Sequence, residues 1–170
     1  MARITLFRHA KAENPDLHTA DIDRVLAWRG RRNAARMGRF IGDRGMLPNL
    51  IIVSTAARTR ETYQLASADW PDIPVMFLDS IYEASATTLM TAIEAHGAAC
   101  ERVMVIGHNP GLVVLLHNLV EAPPAGVNMY YFPTSCVADI GFDVPHIRDI
   151  EPESGRLLSL IRVRELTTDG

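Results

Sequence analysis

Apolar positions along this chain gather into short runs with amphipathic or helix-forming stretches between them. Ile4 to Phe7, LIIVS (Leu50 to Ser54), VMFLD (Val75 to Asp79) and RVMVIG (Arg102 to Gly107) are such runs. Their length and their content of β-formers predict strands buried on both faces, as inside a parallel sheet. Between them, AARTRETYQLASAD is rich in helix formers until Pro71 breaks it, and SATTLMTAIEAHG reads as a helix capped by Ser85 and stopped by Gly97. PGLVVLLHNLVEA follows the fourth run and ends at Pro123 and Pro124. The segment from Arg29 to Arg44 carries Trp28, Ala35, Met37 or Gly38, and Ile41 near helical spacing, which leaves most of its arginines on a solvated face.

Strands alternating with helices imply βαβ crossovers and helices on both faces of the sheet. The pattern changes near the end. CVADIGFD and LLSLIRVRE alternate with period two around a turn region containing Pro and Gly, and so predict half-covered strands forming an antiparallel hairpin at one edge. The expected architecture is α/β, a three-layer α/β/α sandwich whose mostly parallel sheet has an antiparallel edge strand. No repeat, low-complexity tract or linker interrupts it, so one domain over residues 1–170 is expected.

Composition narrows the function classes. A chain of 170 residues, 48% of them hydrophobic, is long enough to bury a core without disulfides or metal. Cys100 and Cys136 lie far apart without CxxC spacing, which favours reduced, buried thiols. A net charge of −3 argues against nonspecific nucleic-acid binding. No apolar run approaches the roughly 20 residues of a membrane span, and the N-terminus lacks a signal-peptide core. The expectation is a soluble cytoplasmic protein with no nucleic-acid or membrane partner. The Arg-rich run leaves two readings: an ordinary solvated helix face, or a dock for an acidic partner.

The strand ends carry the chemistry. In an open α/β sheet, ligands bind beyond the carboxyl edge. There the first run delivers Arg8 and His9, the second Ser54 and then Arg58 one turn into its helix, the third Glu83, and the fourth His108. Arg8 and His9 taken alone are equally readable as a snorkelling arginine and a hydrogen-bonded strand cap. Asn109 and Pro110 after His108 suit an N-cap and a first helical position, and a helix N-terminus favours an anion. Two arginines and two histidines converging on one rim point to a phosphate pocket, because a guanidinium fork matches phosphate oxygens. A histidine in such a pocket serves either as a cationic phosphate ligand or as a neutral nucleophile. Neither scheme requires a metal, and His18, His96, His117 and His146 show no metal-ligand spacing.

At these residues the sequence resembles the histidine phosphatase superfamily. Its strand-borne Arg-His motif stands as Leu6, Phe7, Arg8, His9, Ala10, its Ser-x-x-x-Arg-x-x-x-Thr segment as STAARTRET with Arg58 and Thr62, and its second histidine as His108 in GHNPGL. RHAKAE, IYEAS, GHNPGL and FPTSCVADIGFD are similar to the small phosphohistidine phosphatases of the SixA type. The resemblance implies a cofactor-free hydrolase in which His9 becomes phosphorylated while Arg8, Arg58 and His108 bind and polarise the phosphoryl group. It implies as partner a phosphohistidine-bearing signalling or phosphotransfer protein.

Two features depart from the family pattern. LAWRG puts Ala27 where relatives commonly place a Ser or Thr, which predicts a weaker cap on the first long helix. Glu83 only approximates the place of the superfamily's general acid, and it reads either as that acid or as a surface Glu at a helix start. A phosphoramidate leaves as neutral imidazole and needs less acid help than an ester. Asp21, Asp23 and Arg24 after His9 read as solvated loop residues or as the pocket border. Two other functions stay open: a phosphomonoesterase or mutase acting on small phosphorylated metabolites, and a catalytically poor phospho-ligand binding module.

Overall fold

The computed structural model describes residues 1–166. Its strands are β1 (Ala2–Arg8), β2 (Leu50–Ser54), β3 (Val75–Leu78), β4 (Arg102–Gly107), β5 (Val137–Phe142) and β6 (Arg156–Ile161). They form one sheet in the order β3-β2-β4-β1-β5-β6. The helices are α1 (Trp28–Asp43), α2 (Ala57–Ala66), α3 (Ala86–Gly97) and α4 (Gly111–Leu119).

Strand side chains alternate between two layers, and each layer has its own pair of helices. Ile4, Leu6, Ile52, Val103 and Val105 pack with Leu89 and Ile93 of α3 and with Leu112 and Leu116 of α4. On the other face, Phe7, Ile51, Val53, Met104 and Ile106 pack with Met37 and Ile41 of α1 and Ala66 of α2. The three-layer expectation therefore holds.

The hairpin at the edge is present, with one refinement. β5 pairs antiparallel with both β1 and β6, so the strand running against the rest is the penultimate one, and the edge strand β6 points the same way as β1. β6 alternates between exposed and half-buried from Arg156 to Ser159, as period two predicts, and is half-buried at Leu160 and Ile161. β5 is buried at every position: Ala138, Ile140 and Phe142 join the core on the α3 and α4 side, while on the other face Asp139 is covered by its bonds to Arg3 and Thr5 of β1.

Two local readings need correction. Trp28 is 65% exposed and stands outside the buried stripe of α1, which consists of Gly30, Ala34, Met37, Gly38 and Ile41. The stripe is built from small residues because α1 lies very close to its neighbours: a Cβ on Gly38 would stand 2.0 Å from the Ala66 carbonyl oxygen of α2. A bulky ring cannot share that face. α3 ends at Gly97, as expected, but not through a left-handed conformation. A Cβ there would meet Val103 of β4 at 2.6 Å, so it is a packing glycine. Ser85 does cap α3, accepting from the Thr88 amide at 3.2 Å, and Ala27 caps α1 without any side-chain bond, as its missing hydroxyl predicts.

Candidate active site

Strand register brings the functional side chains together. Arg8 of β1 is level with Gly107 of β4, and Val53 of β2 is level with Ile106 of the same strand. Ser54, Gly107 and Arg8 therefore end three adjacent parallel strands in one row. His108 and His9 are the next residues out, and their rings lie 5.2 Å apart between centroids.

Each is held by a specific bond. The Nδ1 of His9 lies 2.8 Å from the Ala10 carbonyl oxygen. A carbonyl can only accept, so Nδ1 carries the proton and Nε2 keeps the lone pair. Burial, with Arg58 and Arg8 adding repulsion, lowers the His9 pKa to about 4. The ring is thus neutral at pH 7, the form a nucleophile needs. His108 bonds through Nε2 to the Ser54 hydroxyl at 2.8 Å, and burial followed by repulsion from His9 and Arg58 lowers its pKa to about 3. Arg8 donates from Nη1 to the Phe132 carbonyl at 2.9 Å.

Arg58 is 3% exposed. Its Nη1 donates to the Asp21 carbonyl at 2.6 Å, and its Nη2 donates to Asp21 Oδ2 at 3.0 Å and lies 3.5 Å from Glu83 Oε1. Thr62 fixes α2 against the His9 loop: its hydroxyl accepts from the Ala10 amide at 3.0 Å and donates to the Arg58 carbonyl at 2.6 Å. Gly111 serves the other side. A Cβ at that position would stand 2.1 Å from the Ala84 carbonyl, so glycine lets α4 press against the loop that presents Glu83.

The structure thus places Arg8, His9, Arg58 and His108 around one pocket and Glu83 at its rim, with a side chain 56% exposed. Glu83 itself sits at φ 47°, a left-handed conformation uncommon for a side-chain-bearing residue. Residues that the sequence left in the background join them. Asp21 borders the site while its side chain stays 44% exposed: Tyr82 Oη donates to its Oδ2 at 2.6 Å, and Arg58 bonds to it as well. The Tyr82 bond, with those from Arg24 and Arg58, lowers the Asp21 pKa to about 2 and raises that of Tyr82. Asn109 does not cap α4. Its Nδ2 donates to the Phe132 carbonyl at 2.9 Å, and the helix starts at Gly111 with Pro110 as its cap. No pattern in the sequence links Asp21 to Tyr82, since only folding brings them together.

Several polar atoms here are buried without a protein partner: Arg8 Nε, His108 Nδ1, Asn109 Oδ1 and Ser135 Oγ. Ser135 adjoins the nucleophile loop, its amide donating to the carbonyls of Arg8 and His9 at 3.2 and 3.1 Å. Unmet buried donors each cost about 1–3 kcal/mol, and an oxyanion would satisfy the Arg8 and His108 pair. Cys136 is buried beside them, but desolvation pushes its thiol up to about 12, which leaves it protonated. Cys100 is only half-buried.

The remaining histidines sit elsewhere. His117 stacks on Tyr130 with centroids 4.1 Å apart, His146 lies 3.6 Å from Asp149, His96 is exposed in the last turn of α3, and His18 is on an exposed loop. Among the described residues, no three His, Cys, Asp or Glu side chains are grouped as metal ligands. Nor is any helix there long and apolar enough to cross a membrane.

The family model for the histidine phosphatase superfamily (branch 1) matches residues 4–90. The chain belongs to this superfamily. It is 32% identical to an uncharacterised protein of Mycobacterium tuberculosis over 89% of its own length and 96% of that protein. It is 33% identical to an uncharacterised chloroplastic protein of Arabidopsis thaliana over 64% of its own length, and the match spans just over half of that relative, 55%. Among solved structures it is similar to a protein assigned as the phosphohistidine phosphatase SixA of Agrobacterium tumefaciens, with 30% identity and a TM-score of 0.78 over 95% of this chain and 97% of the other. A tungstate complex of SixA shares the fold at 18% identity and a TM-score of 0.78, over 97% and 99% of the two chains. These matches support phosphatase activity and a phosphorylated substrate.

A prediction about protonation arises here. Followed by NMR in phosphate-free buffer, the imidazole signals of His9 and His108 are expected to stay in their neutral positions from pH 8 down to about pH 5, whereas an unperturbed histidine titrates near 6.5. The unfolded chain binds protons at these groups below about pH 6.5 and the folded chain does not. Their contribution to stability is therefore complete above pH 6.5 and declines as pH falls toward 4. Midpoints near 6.5 for both rings would refute the burial argument.

Proposed function

We propose that this protein is a phosphohistidine phosphatase that acts through a covalent phospho-His9 intermediate. The observation that carries the reading is a neutral His9 with its Nε2 lone pair free, set among the cations Arg8 and Arg58 and the partnerless Nδ1 of His108. Nε2 attacks phosphorus, and the bond to the substrate's imidazole breaks as that ring takes a proton from solvent. Arg8 and Arg58 spread positive charge over the equatorial oxygens. Water then attacks phospho-His9, releasing inorganic phosphate and restoring the imidazole. Neither half-reaction asks for a metal or an organic cofactor.

Support for phosphohistidine over an ester comes from the likeness to SixA proteins and from the placement of Glu83. Its side chain is 56% exposed and lies 3.5 Å from Arg58 Nη2, tied to the arginine at the border of the site. Imidazole is a good leaving group once protonated and tolerates such an arrangement.

The second reading, a phosphomonoesterase, is favoured by the nearness of Glu83 to the pocket and by fold neighbours such as an Entamoeba histolytica phosphoserine phosphatase at a TM-score of 0.66 and 14% identity. The test compares wild type with Glu83→Gln on a phosphohistidine protein and on an alkyl phosphate, both in chelator. The proposal expects the wild type to prefer phosphohistidine, with Glu83→Gln within about threefold of it there and slower on the ester by about 100-fold. An equal loss on both substrates, or a wild type faster on the ester, would overturn the phosphohistidine assignment.

A further inference from the structure

The reaction uses none of the arginines between Arg29 and Arg44, and their placement works against the helix that carries them. Arg29, Arg32, Arg36 and Arg39 follow one another at spacings of three and four residues, so they form a single stripe along α1. Like charges at these spacings repel, and Arg29 stands in a first turn that contains no acid, where the helix dipole favours carboxylates. Among the described residues none of the four pairs with a carboxylate, whereas Arg31, off the stripe, is bonded to Glu61.

The stripe borders a groove of about 540 Å³ lined by Lys11, Arg29, Arg36, Arg162 and Arg164, together with Tyr131 and the Pro133–Thr134 turn, and by no acidic residue. Arg32 and Arg39 extend the basic surface through an adjoining depression. Two of the groove's cations are engaged in building it. Arg162 donates to the carbonyls of Tyr131 and Asn128 and pairs with Glu165, and Arg36 donates to the Leu166 carbonyl. Lys11, Arg29 and Arg164 are exposed, with Arg164 laid over the Tyr131 ring at 4.9 Å. Among the described residues these three also lack an ion-pair partner.

The groove is lined by residues adjacent in the chain to those that carry the reaction. Lys11 lies two residues beyond His9, and Thr134 precedes Ser135, whose amide is bonded to the carbonyls of Arg8 and His9. We propose that this groove docks an acidic polypeptide segment of the phosphorylated partner, flanking the phosphohistidine presented to His9. The inference rests on the reading of the substrate as a protein. A peptide is favoured over nucleic acid or an anionic bilayer by the charge of the whole chain. With 17 basic and 20 acidic residues, it repels extended polyanions at long range, and only a short carboxylate run entering the groove meets the local excess of cations.

The test reads binding apart from turnover. A fluorescein-labelled oligoglutamate peptide is titrated with wild type, His9→Ala and Arg29→Glu/Arg164→Glu, with anisotropy as the readout, at ~50 mM and ~300 mM salt. The expected result is equal binding by wild type and His9→Ala, a loss of at least about tenfold in the charge-reversed variant, and weaker binding at the higher salt. Hydrolysis of p-nitrophenyl phosphate by the charge-reversed variant should match wild type, which also shows that it is folded. Arg29→Gln/Arg164→Gln serves as a milder second variant, expected to fall between the two. Equal binding by wild type and both variants would overturn the dock. An oligonucleotide of equal charge bound as tightly as the peptide would overturn the choice of partner. Absence of any phosphatase activity would remove the Proposed function while leaving the binding result legible.

Discussion

His9→Ala is expected to lose about 10⁴-fold or more in turnover and to leave the fold in place. The loss is large because the pocket offers no substitute. Cys136, the nearest thiol, is held protonated by burial, with a pKa of about 12. His108 has a low pKa, but its Nε2 is engaged with Ser54, and a ring held there cannot swing to in-line attack without giving up that bond. Direct attack by water would have to proceed without the pre-positioned Nε2 and would lose the advantage of an intramolecular nucleophile. The fold should survive because the His9 ring makes one bond, to Ala10, while the backbone around it is fixed by Gly107, Ser135 and Thr62. Rapid-quench kinetics with labelled substrate should find an acid-labile, alkali-stable phosphoenzyme in the wild type and none in the variant. A variant that still turns over within about tenfold of wild type, or still accumulates phosphoenzyme, would move the nucleophile elsewhere.

How much of this site can be read from the chain depends on whether a residue's role is set locally. Arg8, His9 and His108 are legible because each follows directly on a buried apolar run, and strand direction alone sends it to the carboxyl edge. Arg58 is legible from its place just after the second run, where it proves to be the second residue of α2. Asp21 and Tyr82 are not, since their bond joins a loop after β1 to a turn after β3, a separation of 61 residues that no local pattern encodes. Asn109 misleads for a different reason. Its type and its position before Pro110 are those of a helix cap, but the helix starts later, at Gly111 with Pro110 as its cap, and the Asn109 Nδ2 donates instead to the Phe132 carbonyl delivered by the segment before β5. Trp28 misleads because spacing alone does not distinguish a face lined with glycine and alanine, where two helices nearly touch, from one that could admit an indole. The sandwich was legible as a layer pattern. The direction of β5 was legible as a hairpin but not as to which of the two strands would lie outermost.

Arg58→Ala carries the second large effect, an expected fall of about 10³-fold or more in kcat/KM. Arg58 does more than add one positive charge to the pocket. Its guanidinium is also the counter-charge for two carboxylates, Asp21 at 3.0 Å and Glu83 at 3.5 Å. Truncation removes the fork that would hold a phosphoryl oxygen and leaves those carboxylates facing an incoming dianion, so repulsion adds to the loss of a ligand. This makes a specific non-additivity. In the Arg58→Ala background, Asp21→Asn should recover about tenfold of the lost kcat/KM, although the same change in wild type should lower activity by loosening Arg58 and Tyr82. Arg58→Lys should recover little, because an ammonium group cannot reach the Asp21 carbonyl, the Asp21 carboxylate and a phosphoryl oxygen in one plane. Vanadate affinity gives the parallel readout without turnover, falling with Arg58→Ala and rising again in the double variant. If Asp21→Asn instead deepens the defect of Arg58→Ala, Asp21 acts on the substrate directly, and its bonds to Arg58 and Tyr82 serve to aim that carboxylate rather than to restrain the arginine.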